Sequence, residues 1–334
     1  MRTARARRGL VAVTAAAAIL LATAGCATSG AGTGATSGST SSSGSGSASK
    51  TVGATLLSLQ YPFLVTLNDA MKAEAGKQNL NLISLDPRQS TATELTQIED
   101  LITKKPDAIV MIPVDQKASQ AAAAKENADR IPLILVHTRF SDDFTGQYVS
   151  YVGSDDTEAG QIEGKYALDQ LPDGGSIVYL VGQYGGASTE RRKTGFDNAI
   201  AGSSIKVATE VEAKGSRAEA KTVMEDLLRR YPNKGDIVGV VAQSDEMALG
   251  ASSAIKEAGR SGEFKFIIGV DGSDAGLKAV QSGDMTATVF QDAVGQGTKA
   301  MQVAADVIAG KSVDKEYKIP FQLVTKDNLS QFLK

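Results

Sequence analysis

The sequence predicts an α/β protein made of two doubly wound parallel-sheet lobes. Apolar runs without period-2 alternation recur along the chain, separated by stretches of helical length, as in parallel sheets covered on both faces. Glu99–Asp115 reappears as Glu225–Asp245, and Ala124–Val136 as Ile255–Val270, a helix-strand-helix-strand repeat displaced by about 126 residues at its outset. The stretch Asp236–Gly250 switches at Ser244 from Val- and Ile-rich to helix-forming residues, so a buried strand delivers a helix start. Open α/β sheets hold ligands at such junctions.

In chain order, the first lobe is expected to run as follows. Strand Val52–Ser58 is followed by an amphipathic helix over Leu64–Gln78 and strand Leu80–Leu85. Helix Thr91–Lys104, strand Asp107–Ile112, an Ala-rich helix Lys117–Arg130 and strand Pro132–Val136 complete it. After a break near Ser154–Asp156 come strand Ser176–Val181, a glycine-containing loop Gly182–Gly186 and a helix through Arg192 and Phe196. Strand Lys206–Val211 and helix Arg217–Arg230 precede the Asp236–Gly250 junction, whose helix extends to Gly259. Strand Phe264–Val270, helix Ala275–Ser282, strand Thr286–Phe290, helix Gln296–Ala309 and an extended Lys318–Val324 close the chain. The repeat aligns His137 of the first lobe with Asp271 of the second. Ser244 is placed to cap its helix, with Asp245 and Glu246 complementing the dipole in the first turn.

At 334 residues the chain accommodates two domains. The formal net charge of −3 becomes −7 once Arg2, Arg5, Arg7 and Arg8 are set aside, which argues against nucleic acid as a partner. One Cys excludes an internal disulfide, and one His beside it leaves no Cys/His cluster for zinc; no metal and no cofactor are expected. Gly-x-Ser-x-Gly at a strand end and a Walker sequence are both missing, and Asp142–Asp143 and Asp155–Asp156 read as turn or cap residues. A non-enzyme is expected.

The first 25 residues read as an export signal: basic Arg2–Arg8, apolar Leu10–Ala24, then small residues before Cys26. Thr23-Ala-Gly-Cys26 resembles the lipobox of bacterial lipoproteins, although Thr23 stands where that motif prefers a branched aliphatic residue. The resemblance implies lipidation of Cys26 and anchoring to the outer face of the cytoplasmic membrane. Residues 26–50 are almost wholly Gly, Ser, Thr and Ala, a flexible tether.

Five ordered matches give the body of the chain its family resemblance: Tyr61-Pro-Phe63, Arg192-Lys-Thr-Gly-Phe196, Gln243–Ala251, Gly269-Val-Asp-Gly272 and Thr286–Gln291. From Lys50 onward the sequence resembles the ribose- and galactose-binding type of periplasmic solute-binding protein, the type I sugar-binding components of ABC importers. The resemblance implies two Rossmann-like lobes joined by a three-strand hinge: residues 51–154 with 292–320, and 155–291 with 321–334. It further implies Phe63 as a ring stacking on sugar C–H faces, Arg192 as a hydroxyl donor, Asp271 as a double acceptor and Gln291 as a hinge-adjacent polar contact. Tyr61 and Ser244 occupy two further contact positions. His137, Thr138 and Arg139 stand where such proteins commonly carry an acid-Arg pair, and Ser244 where they carry Asn. Ribose itself is therefore doubtful; a polyol, an inositol, a modified sugar or a weakly acidic ligand stays open. A monomer is expected, with permease subunits as partners, or a membrane receptor in the alternative of a sensory role. Regulators sharing the fold require an N-terminal helix-turn-helix, whose place is taken here by the signal and tether.

Overall fold

The computed structural model describes residues 49–141 and 143–333. The expected export signal, the lipidation of Cys26 and nearly all of the tether lie outside the described residues, as does Asp142. The chain begins with β1 (Lys50–Leu56), α1 (Pro62–Lys77), β2 (Leu80–Leu85), α2 (Thr91–Thr103), β3 (Ala108–Ile112), α3 (Gln120–Ala128), β4 (Leu133–Val136) and β5 (Ser150–Gly153). It continues through α4 (Asp156–Gln170), β6 (Gly175–Val181), α5 (Ala187–Ile200), β7 (Ile205–Glu212), α6 (Arg217–Arg230), β8 (Gly239–Ala242), α7 (Asp245–Glu257), β9 (Phe266–Asp271), α8 (Asp274–Ser282) and β10 (Ala287–Phe290). The last elements are α9 (Ala293–Ile308), β11 (Glu316–Lys318) and β12 (Gln322–Thr325).

Two six-stranded sheets result, ordered β11-β5-β4-β3-β1-β2 and β12-β10-β9-β8-β6-β7. The internal repeat is visible in those orders, since β3 and β8, and β4 and β9, hold the same places. One edge departs from the expected parallel sheets: β12 runs antiparallel to β10. Side chains of β3 divide between two dry faces. Val110 and Ile112 join Leu64 and Leu67 of α1 and Met301 of α9, while Ile109 and Met111 join Ile98 and Leu101 of α2. Burial on both faces is why Ala108–Ile112 is apolar throughout. Helix starts are set by side chains: Ser90, Ser216, Ser244 and Ser273 cap α2, α6, α7 and α8, and Pro62 takes the first position of α1.

Several boundaries differ from the sequence expectation for identifiable reasons. Strand β5 and helix α4 fill the stretch read only as a break. Helix α3 starts at Gln120 rather than Lys117, because Asp115 Oδ1 accepts from the Lys117 and Ala118 N–H groups at 2.8 and 2.7 Å and holds a turn there. The extended Lys318–Val324 segment is two strands broken around Pro320, one in each sheet. The chain thus changes sheets three times: after β5, after β10 and between β11 and β12.

The crossing of α4 and α5 matters most for the site. A Cβ added at Gly160 would lie 1.9 Å from the Arg192 carbonyl oxygen, and one at Gly195 2.0 Å from that of Thr157. The two backbones touch, which sets Asp156 of α4 beside Arg192 of α5.

Candidate functional site

The C-terminal ends of strands in both sheets, with the loops that follow them, enclose a cavity of about 160 Å³. Eight of the nine residues singled out from the sequence line it: Tyr61, Phe63, His137, Thr138, Arg139, Arg192, Ser244 and Asp271. The ninth, Gln291, sits behind that wall, buried, and joins the two sides. Its Oε1 accepts from Arg192 Nη2 at 3.2 Å and its Nε2 lies 3.4 Å from His137 Nδ1.

Arg192 is the buried guanidinium of the site, 5% exposed. Its Nε donates to Asp156 Oδ1 at 2.9 Å and its Nη1 to the Gln243 carbonyl at 2.6 Å. Asp156 also accepts from Ser188 Oγ at 2.9 Å. Adjacent in sequence, Asp155 and Asp156 are alike expected as turn or cap residues, and the structure separates them. Asp155 caps α4, accepting from Thr157 N at 3.1 Å, whereas Asp156 is an ion-pair partner inside the site. Gln243 was also missed: its side chain bonds Tyr179 Oη, the Thr189 carbonyl and Gly182 N, tying the loop after β6 to the end of β8. Its position immediately before Ser244 was the available signal.

His137 and Asp271, aligned by the repeat, share an unusual backbone: φ is +65° at His137 and +121° at Asp271. Each ends or follows the equivalent strand, β4 or β9, and the left-handed backbone turns its side chain out of strand register. Phe63 packs on the His137 ring, with centroids 4.8 Å apart. Burial pushes the His137 pKa down to about 4 and the Arg192 charge pushes the same way, outweighing Asp156, so the ring is neutral at pH 7. A Gln291 amide donating to Nδ1 fits the neutral tautomer protonated on Nε2.

Two carboxyl groups adjoin at the end of β9. Asp245, placed from sequence as a dipole-complementing first-turn residue, is fully buried and accepts from Ser273 N, Ser273 Oγ and Thr288 Oγ1 at 2.6–2.8 Å. Asp271 faces the cavity. Burial, then the neighbouring Asp245 charge, raise its pKa well above the carboxylate range, with Arg192 opposing.

Three further expected residues have defined local roles. Ser244 caps α7, accepting from Met247 N at 3.3 Å, while still lining the cavity. Thr138 Oγ1 donates to the Pro113 carbonyl at 3.4 Å. The Arg139 guanidinium is engaged elsewhere: it lies 2.8 and 3.4 Å from the Glu316 carboxylate on β11 and stacks over the Tyr151 ring at 4.2 Å.

A family model described as a periplasmic binding protein domain matches residues 52–312. The chain belongs to the periplasmic binding protein family. Among its relatives, the ribose import binding protein of Escherichia coli K12 is 32% identical over 276 residues, covering 83% of this chain and 90% of that protein. The xylitol-binding protein of Mycolicibacterium smegmatis is 33% identical, covering 84% and 78% respectively. Among solved structures, an ABC transporter solute-binding protein from Bacillus halodurans with bound myo-inositol superposes with a TM-score of 0.80 at 30% identity, covering 85% of this chain and 96% of that one. The fold is that of the type I periplasmic binding proteins.

Proposed function

We propose that this periplasmic binding protein captures a neutral monosaccharide, inositol or other polyol in the inter-sheet cavity and delivers it to the permease subunits of an ABC importer. The charge balance of the cavity carries the ligand class. Asp156 neutralises Arg192, His137 is neutral, and Arg139 is held by Glu316, while Asp271, its pKa held high by burial and by Asp245, faces the cavity as a carboxyl group that both donates and accepts. A neutral polyol supplies hydroxyls that donate and accept, the complement of the Asp271 carboxyl, and its C–H face fits against Phe63. An acidic ligand would bring an anion into a buried site whose two guanidinium groups are already paired, by Asp156 and by Glu316, so the weakly acidic class is disfavoured. That relatives bind ribose, xylitol and myo-inositol supports the same class.

In this reading, Tyr61, Phe63, His137, Thr138, Arg192, Ser244 and Asp271 contact ligand. Gln291 links the sides at the hinge, and Arg139 positions the β4 end through Glu316. The two lobes are the segments 51–154 with 292–320 and 155–291 with 321–334, closing about the three sheet-changing connections. Lipid on Cys26 and the tether after it would hold this body at the outer face of the cytoplasmic membrane. A calorimetric titration of the purified protein with ribose, xylitol, myo-inositol and glucuronate tests the ligand class. Heat of binding for at least one neutral compound and none for glucuronate is expected; binding of glucuronate alone would overturn it.

A further inference from the structure

Tyr61 and Gly215 meet across the cavity from opposite halves of the molecule. Tyr61 stands at the N-cap of α1, just past β1 of the first sheet, and Gly215 lies in the turn between β7 and α6 of the second. A carbon added to Gly215 would lie 2.8 Å from Tyr61 Cε1 and 3.6 Å from Cδ1 and Cζ, so one edge of the ring rests on bare backbone. Both sides of this contact are anchored to their own sheet. The Ala213 and Lys214 N–H groups donate to the Val181 and Gly182 carbonyls at 2.9 and 3.0 Å, and Ser216 caps α6. On the other side, Tyr61 N donates to the Ser58 carbonyl at 3.4 Å, and Pro62 fixes the helix start. Gly215 is doubly specified: φ is +63°, and a methyl there would approach the ring more closely than the roughly 3.5–4.0 Å of a relaxed carbon contact.

We propose that Tyr61 seated on Gly215 is a latch between the two halves, which stabilises the closed cleft independently of ligand hydroxyls and slows ligand release. The proposal deepens the reading of the cavity as a closing ligand site. When the halves separate, the ring and the turn part with them, so the contact is gained only on closure. In Gly215→Ala the strain of the left-handed backbone falls on both forms, whereas the clash with the ring falls on the closed form alone and so shifts the balance toward the open one.

The test uses the full chain carrying Cys26→Ser, with a spin-label pair at Lys104→Cys and Lys234→Cys, exposed positions on opposite halves. The chain contains one natural cysteine, so labelling is confined to these sites. Distance distributions are recorded without ligand and with myo-inositol as probe, for the parent, Tyr61→Ala, Gly215→Ala and the double variant. Each single substitution is expected to lower the closed-to-open ratio about fivefold, and the double variant to fall no further than Tyr61→Ala. Gly215→Asn, which tolerates the left-handed backbone, is expected to match Gly215→Ala and covers the case in which Ala impairs folding. Identical distributions in all variants, fully open ones included, overturn the latch. So does an equal effect of Gly215→Ala with and without Tyr61, which would assign the loss to backbone strain. If the ligand-free distributions separate as expected and myo-inositol closes no variant, the latch stands and closure of the cavity on myo-inositol falls. If myo-inositol closes every variant equally, the ligand class stands and the latch falls.

Discussion

Removing Asp156 is the most informative single perturbation of the site. The Arg192–Asp156 pair is deeply buried, with both side chains 6% exposed, and is joined at 2.9 Å. Taking one partner from such a pair costs about 3–5 kcal/mol, because the other charge is left in a poorly solvating interior. Two features of this site lower that figure for Asp156→Ala. The carboxyl groups of Asp271 and Glu163 both lie near enough to favour the Arg192 charge, and Asp271 can ionise in compensation. One loss raises it, the hydrogen bond from Ser188 Oγ at 2.9 Å. The expected net cost is roughly 3 kcal/mol, or a melting temperature lower by about 6–12 °C at ~2–4 °C per kcal/mol. Asp156→Asn keeps an acceptor oxygen for Arg192 Nε, and its amide NH2 can donate to Ser188 Oγ in place of accepting from it, so about half that loss is expected. Urea denaturation at pH 7 with thermal melting measures both. An Asp156→Ala protein within about 0.5 kcal/mol of the parent would refute the view that Asp156 holds Arg192 as a buried cation.

Two titrations follow from the burial of ionisable groups. His137 is the one histidine in the sequence, so its ring gives a single set of imidazole resonances. These are expected to titrate near pH 4, and, since the folded pKa lies below the usual 6.5, the associated stability is present above pH 6.5 and lost as pH falls through about 4. A midpoint near 6.5 would contradict the buried placement. Glu126 has the opposite sign: burial, then Glu94, raise it from 4.5 to about 8, and neither carboxyl oxygen has a hydrogen-bond partner among the described residues. Its contribution is full below about pH 4.5 and lost as pH rises through about 8. Glu126→Gln should therefore gain at least about 1 kcal/mol on the parent between pH 5 and pH 8.5, measured by urea denaturation, and a pH-independent difference would count against it.

The sequence made the sheets legible because their strands are buried on both faces and therefore apolar without a break, as in Ala108–Ile112 and Gly239–Ala242. Cap chemistry was equally direct: Ser244 caps α7 as read, and helix Arg217–Arg230 has the bounds expected. The alignment of His137 with Asp271 reached further than fold, since both share a left-handed backbone at equivalent strand ends. Helix α4 was missed for a physical reason. Its buried face is made of Asp156, Ala159, Gly160, Glu163, Gly164, Tyr166 and Ala167, small or polar residues that let α5 approach, so no aliphatic stripe marks it. Strand β5 is only four residues long, and β11 and β12 are separated by a proline, so neither presents a full apolar run. Asp156 escaped notice because adjacent acids at a helix start are ordinary caps. Only the contact between Gly160 and Arg192 reveals which of the two turns inward.

The central claim is that Asp271 and Arg192 read the hydroxyls of a neutral ligand sealed in the cavity. Equilibrium binding of the neutral sugar or polyol that the parent protein takes up, compared among parent, Asp271→Ala and Arg192→Lys, tests it most directly. Loss of a two-point hydroxyl pairing in a desolvated site predicts affinity about tenfold weaker for Asp271→Ala, at roughly 0.5–1.5 kcal/mol per hydrogen bond. Arg192→Lys should weaken binding as well, because a lysine cannot reproduce the bidentate fork. Parent-like affinity in both variants would contradict the assignment of the site.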